Sequence, residues 1–357
     1  PKNVVEFYDD DFRSNPIGTG PFKFKRWEEN VKLVLRKNEN YFQKDSIGNQ
    51  LPHLEAVSIT FLPEKQSEFL QLIKGKIDFI SGLDNSYKDE IIDNDGKLNE
   101  YYKDRIKMLR GPYLNTEYLA FFLKSEKNEI KSELIRKAIN IGFDKRKMLK
   151  FLRNGVGIPA EAGFIPSGLP GYKKNNINKY NPELAKSYVN TYIEKYNSTP
   201  SLTLTTSSNY LDLCEFIQKE LEKLGVEINI DVIPGSALKQ AKANGKLNFF
   251  RASWIADYPD AENYLSLFYS KNLAPDGPNY THFNNEEYDI MYESSLKETD
   301  PEKSKLLYQK MDSIITSKSI IVPLFYDEVV RFVSKNVVGM DINATNLLDL
   351  RNVRKID

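Results

Sequence analysis

The stretch from Phe249 to Tyr269 reads FFRASWIADYPDAENYLSLFY, and the interpretation of the whole chain depends on it. Its first residues are apolar in the manner of a buried strand. Pro259 then interrupts regular structure, because proline fixes its own φ and restricts the residue before it. This pattern places the carboxylate of Asp257 at the C-terminal end of a strand, where ligands of open α/β sheets usually bind. The stretch therefore predicts a recognition site that contains Asp257.

Two interpretations of the acidic residues in this stretch stay open at this point. Asp257 and Asp260 flank the proline, and aspartates commonly form turns or cap a helix such as the one predicted for residues 261–268. Alternatively, Asp257 holds a ligand together with Arg251 and Trp254, which precede it by only a few positions. Spacing alone does not separate the two interpretations.

Length and charge narrow the class of protein. The chain has 357 residues, which favours about two domains. Lys and Arg total 50, as do Asp and Glu, so the formal net charge is zero, which argues against a nucleic-acid partner. We find no apolar run of about 18 residues and therefore predict no membrane span. The opening residues PKNVVEFYDDDF are polar and acidic, unlike a signal peptide. We expect a small or neutral partner.

The order of predicted elements indicates two α/β lobes. Residues 15–37 carry the glycines, prolines and alternating apolar residues of a β-hairpin. Residues 56–83 read as strand, helix and strand, which predicts parallel pairing through a right-handed crossover. Residues 201–234 repeat the same order. Strands close the chain after residue 320.

The sequence pattern changes at Pro112, and we place the boundary between the two predicted lobes there. We predict one short strand that ends at Gly111 and a second strand in TEYLAFFL, which begins at Thr116. The predicted organisation is a partial first lobe at residues 1–111, a second α/β lobe at residues 112–325, and strands at residues 326–357 that return to the first lobe.

Histidine and cysteine are scarce in this chain, and no pair of its many carboxylates stands out apart from Asp257 and Asp260. His53 and His282 lie far apart, in different predicted lobes, and each is more typical of a structural histidine. Cys214 lies in LDLCEFIQKEL, whose apolar spacing is helical, so we interpret it as a small buried hydrophobe. No HExxH or CxxC motif is present. We therefore predict no catalytic residue, no metal and no cofactor.

Several longer motifs, taken in order, resemble the extracytoplasmic solute-binding proteins of peptide-type ABC importers, the family of the oligopeptide- and dipeptide-binding proteins. The resemblance implies a two-lobed α/β fold, periplasmic-binding-protein-like of type II, with mixed sheets. Family members carry further strands and a small extra lobe ahead of the part that corresponds to Pro1, so we expect the first lobe to be incomplete. The matching segments are GTGPFKFKRW, GKIDFI, IRKAINIGFDKRKML, NPELAKSYV, RASWIADYPDAENYL, THFNNEEYDIM and IIVPLFYDEVVRFV.

The resemblance also implies roles for residues of the opening stretch. The aspartate at position 257 takes the α-ammonium of a bound peptide in the oligopeptide branch, in a groove that shields it between two lobes. Ser253 and Ile255 pair main chain to main chain with the peptide. Trp254 lines a side-chain pocket, and Arg251 faces the carboxylate end of short peptides. That branch also carries a histidine within the segment that reads SSNYLDLCEF here, so the preferred peptide length stays open.

The implied function is a monomeric receptor without enzymatic activity that captures peptides in the cleft between its lobes and delivers them to an ABC permease in the cytoplasmic membrane. The implied location is periplasmic or extracytoplasmic, with a lipid anchor supplied by a segment ahead of Pro1. One alternative keeps the fold but changes the ligand to a sugar or a metal chelate, because fold does not fix function. Hydrolysis is a third hypothesis with less support.

Overall fold

The computed structural model describes residues 1–356, which fold as two compact units. Unit 1 comprises Pro1–Asp93, Lys97–Gly111 and the chain from Val329 onward, and unit 2 comprises Asn94–Gly96 and Pro112–Glu328. The α-helices are α1 (Lys2–Tyr8), α2 (Lys65–Ile73), α3 (Lys88–Ile91), α4 (Asn128–Lys131), α5 (Glu133–Ile141), α6 (Lys145–Arg153), α7 (Pro182–Tyr196), α8 (Leu211–Glu222), α9 (Gly235–Ala243), α10 (Glu262–Leu265), α11 (Glu286–Ser295) and α12 (Pro301–Ser317). The strands are β1 (Phe22–Glu28), β2 (Lys32–Lys37), β3 (Ala56–Thr60), β4 (Phe79–Ser81), β5 (Ile106–Phe121), β6 (Ile158–Pro159), β7 (Ser201–Thr206), β8 (Glu227–Val232), β9 (Phe249–Ile255), β10 (Ile321–Ser334), β11 (Val337–Val338) and β12 (Arg354–Lys355). Short 3-10 helices occupy Asp9–Ser14, Glu100–Tyr102, Ser208–Tyr210, Ser266–Phe268 and Ser270–Asn272.

The predicted hairpin of unit 1 is confirmed. β1 and β2 pair antiparallel, and the turn between them places Asn30 at a φ of 57°, a left-handed conformation that asparagine tolerates well. β3 pairs antiparallel with the other edge of β2. Every residue of these three strands keeps some exposure to solvent, so this sheet contributes no fully buried side chain to unit 1.

The predicted parallel pairing of β3 and β4 is wrong. β3 belongs to the three-stranded sheet, whereas β4 pairs antiparallel with residues Arg331–Val333 of β10. The strand–helix–strand order in the sequence is real, but it does not select the neighbour of each strand. Burial of Ile80 in the short strand β4 occurs against β10, a long strand that arrives only near the end of the chain.

Unit 2 contains a mixed sheet in the order β10-β5-β9-β7-β8. β9 pairs antiparallel with β5 and parallel with β7, and β7 pairs parallel with β8 through the crossover helix α8, which confirms the second predicted β-α-β unit. The two predicted strands around Pro112 form a single strand, β5, instead. Proline is accepted in a strand where its nitrogen is not needed for the ladder.

One core cluster of unit 2 lies on the face of this sheet that α5, α7 and α8 cover. The rings of Phe121 and Phe249 stack there at 4.7 Å across β5 and β9. Cys214 is fully buried on α8 in the same core, and burial raises the pKa of its thiol to about 11, which confirms that it is a buried small side chain. Pairing with β5 continues as far as Ile255 and positions the C-terminal end of β9.

Candidate functional site

The C-terminal half of β9 has an open main-chain edge. β7 pairs with β9 only at Phe249 and Phe250, because β7 ends at Thr206 and the chain then turns into a 3-10 helix. Among residues 1–356, the chain from Arg251 to Ile255 has a strand neighbour on the β5 side alone. Unpaired N–H and C=O groups on a strand edge are a template for an added strand.

The register of β5 and β9 decides which side chains share a face. Directly opposed residues of an antiparallel pair point to the same face, and Glu117 opposes Ser253. Arg251, Ser253 and Ile255 are two residues apart and therefore line the same face as Glu117. Trp254 opposes Thr116 and lies on the other face.

Arg251 is buried and occupied by partners within unit 2. Its guanidinium forms an ion pair with Glu117, and both side chains are almost completely enclosed. The ring of Tyr210 lies 3.2 Å from the guanidinium carbon, and Asn115 donates a 3.1 Å hydrogen bond to the second carboxylate oxygen of Glu117. Lys242 interacts electrostatically with this cluster. Burial is the larger cause and the positive charge of Arg251 the next, and they lower the pKa of Lys242 to about 8.

Trp254 is held from the side by Asn263, a buried residue of α10. The indole N–H donates a 2.8 Å hydrogen bond to the Asn263 side-chain oxygen. The main-chain N–H of Asp257 donates to the same oxygen at 3.3 Å. One buried amide thus fixes both the Trp254 ring and the backbone at Asp257.

Asp257 lies just beyond the end of β9, as predicted, but its side chain is exposed. We expected a shielded carboxylate, and this expectation is not met, because Asp257 lies two residues beyond the last residue of β9, in the bend that contains Pro259. The carboxylate makes no hydrogen bond or ion pair with any residue from 1 to 356. Asp260, by contrast, accepts the main-chain N–H of Glu262 at 2.8 Å and forms the turn that begins α10.

Ser253 and Ile255 complete the predicted set. Ser253 is half-buried, and Ile255 is 47% exposed at the end of β9. Their spacing of two residues is the period with which main-chain groups of a strand point to the same edge. The structure thus brings Arg251, Ser253 and Ile255 together on one face, and it places Trp254 and Asp257 beside Asn263.

Sequence reasoning missed three residues of this neighbourhood. Glu117 is the one charged residue in the segment TEYLAFFL, which is a signal that a partner cation is near. Tyr210 follows the end of β7, and its position against Arg251 depends on the 3-10 turn. Asn263 lies within the quoted stretch, but nothing in its residue type distinguishes a positioning amide from a solvent-exposed one.

Among the residues that the structure describes, neither a group of metal ligands nor either histidine adds to this site. Within residues 1–356, no group of three or more His, Cys, Asp or Glu side chains is arranged to hold a metal ion. His53 lies in unit 1 within 3.6 Å of Asp45, and His282 lies in unit 2 against the ring of Phe122 at 4.9 Å. None of the helices in the described part of the chain is long and apolar enough to cross a membrane.

Comparison with known proteins gives a consistent family assignment. Residues 1–276 match the family model described as bacterial extracellular solute-binding proteins, family 5 middle. The chain is 25% identical over 333 residues to the probable D,D-dipeptide-binding periplasmic protein of Escherichia coli, with 92% of this chain and 60% of the relative covered. It is 23% identical over 346 residues to the dipeptide-binding protein DppE of Bacillus subtilis, with 94% and 60% covered.

The fold agrees with this assignment. The structure superposes with a TM-score of 0.82 on the periplasmic binding protein DppA of Helicobacter pylori in complex with the peptide STSA, at 22% identity. The superposition covers 99% of this chain and 67% of that protein. The predicted type II periplasmic-binding-protein fold is confirmed. The chain spans about 60% of the length of these two curated relatives.

Proposed function

Because the chain belongs to the bacterial extracellular solute-binding proteins of family 5, we propose that it acts as a peptide receptor for an ABC importer. The observation that supports this most is the open edge of β9, followed directly by the free carboxylate of Asp257. An extended peptide presents main-chain groups to a strand edge and an α-ammonium at its N-terminus. Both features of the site complement those of a peptide.

Main-chain recognition explains how such a receptor tolerates many sequences. A peptide added to the edge of β9 pairs with Ser253 and Ile255 through groups that every peptide carries. Side chains of the peptide then alternate between the two faces of the extended sheet. In this proposal Trp254, which Asn263 orients, lines one side-chain pocket.

Asp257 fixes the register in this proposal. Its carboxylate takes the α-ammonium of the peptide, so the N-terminal residue of every ligand lies at the same place. Arg251 belongs to the predicted site as the cation nearest the carboxylate end of short peptides. The relatives whose names specify dipeptides, and the structural neighbour that holds STSA, support peptides as the ligand class.

The wider function is proposed on the same grounds. The receptor works outside the cytoplasm, binds as a monomer, is tethered by a lipid anchor, and passes intact peptides to a membrane permease. It carries out no chemical step, so mass spectrometry after long incubation with peptides should recover them uncleaved. Recovery of cleavage products that depend on the protein would refute this part of the proposal.

The central test is Asp257→Asn, with alanine peptides of three to six residues, each unblocked and N-acetylated. If Asp257 becomes desolvated around an ammonium, calorimetry should show a loss of about 2–5 kcal/mol of binding free energy for unblocked peptides. A pair that stays in water would change it by less than about 1 kcal/mol. Binding of N-acetylated peptides should hardly change.

Asp260→Asn is the matched control, because it removes a carboxylate three residues away that forms a turn. We expect Asp260→Asn to leave the preference for unblocked peptides intact. Absence of any peptide binding by the unaltered protein, or equal effects of Asp257→Asn on unblocked and acetylated peptides, would overturn the proposal.

A further inference from the structure

We propose that Glu117 is a specificity-determining residue that competes with the carboxylate of a ligand for Arg251, an inference that rests on the proposed function. Arg251 is the cation that the resemblance assigns to the carboxylate end of short peptides. In this chain that cation already has an internal counter-ion. Ligands whose carboxylate reaches Arg251 therefore lose the attraction that an unpaired arginine would give them.

The burial of the pair makes the competition strong. The side chains of Arg251 and Glu117 are 9% and 3% exposed. Charges in such surroundings interact far more strongly than charges in water. Separation of a buried pair leaves an uncompensated charge behind, which is costly. A ligand carboxylate cannot displace Glu117 unless it offers Arg251 better contacts than Glu117 already does.

Neighbouring residues hold both partners in place. The Tyr210 ring covers one face of the Arg251 guanidinium, and Asn115 donates to the carboxylate oxygen of Glu117 that Arg251 does not use. A ligand carboxylate that approached without displacing Glu117 would place a second negative charge beside the first, which is unfavourable. Both routes disfavour a terminal carboxylate at this position.

One donor of Arg251 has no partner among the described residues. Its Nε is buried and has no acceptor among residues 1–356, although Nη2 is paired with Glu117. If the side chain at position 117 were neutral, a ligand carboxylate would be a stronger acceptor than its remaining oxygen and would displace it from Nη2, so that Nε and Nη2 bind the carboxylate in a bidentate manner. Lys242 is a further cation that interacts with Arg251 and Glu117, and it stays unchanged in the variants below.

The position of the Arg251–Glu117 pair determines which ligands it disfavours. Glu117 directly opposes Ser253 in the register, and Arg251 precedes Ser253 by two residues on the same face. A carboxylate at this point belongs to a short peptide, whereas a longer peptide presents a neutral peptide group there. Glu117 thus biases the receptor toward ligands that are neutral at this position.

The test compares tri-alanine with tri-alanine amide by calorimetry. We expect the unaltered protein to bind the two within about threefold of each other, the scale of a screened charge. Glu117→Gln keeps the shape of the side chain and removes its charge. Glu117→Gln should raise the ratio of the affinity for tri-alanine to the affinity for tri-alanine amide about tenfold or more, because the charge of Arg251 then has no internal counter-ion. Asp349→Asn, which takes a carboxylate from Arg351 in unit 1, should leave the ratio unchanged.

A double variant, Glu117→Gln with Arg251→Gln, separates this role from a structural one. Loss of general packing would weaken both ligands alike and would not change their ratio. The ratio should return to that of the unaltered protein in the double variant. An unchanged ratio in Glu117→Gln, or a preference for the acid that the unaltered protein has and the double variant lacks, would overturn the inference.

A second measurement decides the inference even if tri-alanine does not bind. Sodium acetate supplies a carboxylate without a peptide. At equal ionic strength with sodium chloride, acetate should raise the melting temperature of Glu117→Gln above its effect on the unaltered protein and on Asp349→Asn. Equal acetate effects in the three proteins would overturn the inference. Failure of all peptides to bind would overturn the proposed function instead.

Discussion

The side-chain oxygen of Asn263 accepts a hydrogen bond from the indole N–H of Trp254 at 2.8 Å. The same oxygen also accepts the main-chain N–H of Asp257, so one amide that is 5% exposed positions two residues of the candidate site. A buried acceptor with two donors is difficult to replace, because either donor left without a partner costs free energy.

Asn263→Ala should therefore lower the free energy of unfolding by about 1–3 kcal/mol. Denaturant titration measures this, and a double-mutant cycle with Trp254→Phe isolates the hydrogen bond. We expect the double variant to be more stable than the sum of the single effects predicts, since each single change already removes the same bond. Strictly additive effects would show that the bond contributes nothing.

Asp312 should make stability depend on pH. The side chain is buried, accepts the N–H of Phe164 at 2.8 Å, and has its pKa raised by burial from 3.8 to about 7. A raised pKa gives a contribution to stability that is complete below pH 3.8 and is lost as the pH rises through about 7. Between pH 5 and pH 8 the unaltered protein should lose about 2–3 kcal/mol relative to Asp312→Asn. Parallel stability curves for the two proteins would contradict this.

Lys145 should act in the opposite direction. Its ammonium is buried against the carbonyl oxygens of Ala160 and Asn178, at 3.2 Å and 3.3 Å, and burial lowers its pKa from 10.5 to about 7. A lowered pKa gives a contribution that is complete above pH 10.5 and is lost as the pH falls through about 7. Relative to Lys145→Met, the unaltered protein should lose about 2–3 kcal/mol of stability between pH 9.5 and pH 7.

Lys147→Met is the control for this measurement, because Lys147 lies on the same helix and is partly exposed. Its stability curve should run parallel to that of the unaltered protein over the same range. If Lys145→Met also runs parallel, the ammonium is not held away from water.

Gly163 should not tolerate a side chain. A Cβ atom at this position would lie 1.6 Å from a carboxylate oxygen of the buried Asp312, so either the side chain or the backbone must move. We expect Gly163→Ala to cost about 1–3 kcal/mol of unfolding free energy, as overpacking does. Gly235→Ala is the matched control, since its Cβ would meet no atom within 4 Å. Equal stability of the two variants would refute the expectation.

Parts of the fold that depend on neighbouring residues were predictable from the sequence. Asp144 caps α6 by accepting the N–H groups of Arg146 and Lys147, and Asn154 ends the same helix in the left-handed conformation. The hairpin of β1 and β2 and the β7-α8-β8 unit also follow from local patterns. The position of Asp257 beyond a strand end belongs to this group.

Tertiary structure alone decided which distant residues meet. β4 pairs with β10. Arg251 forms its ion pair with Glu117, which is 134 residues away along the chain. A charged residue in a buried strand indicates that a counter-ion lies nearby, but many residues in the sequence could supply that counter-ion. Helix caps and tight turns form between residues a few positions apart, so the local sequence determines them. Strand order and ion pairing depend on which surfaces the whole chain buries together.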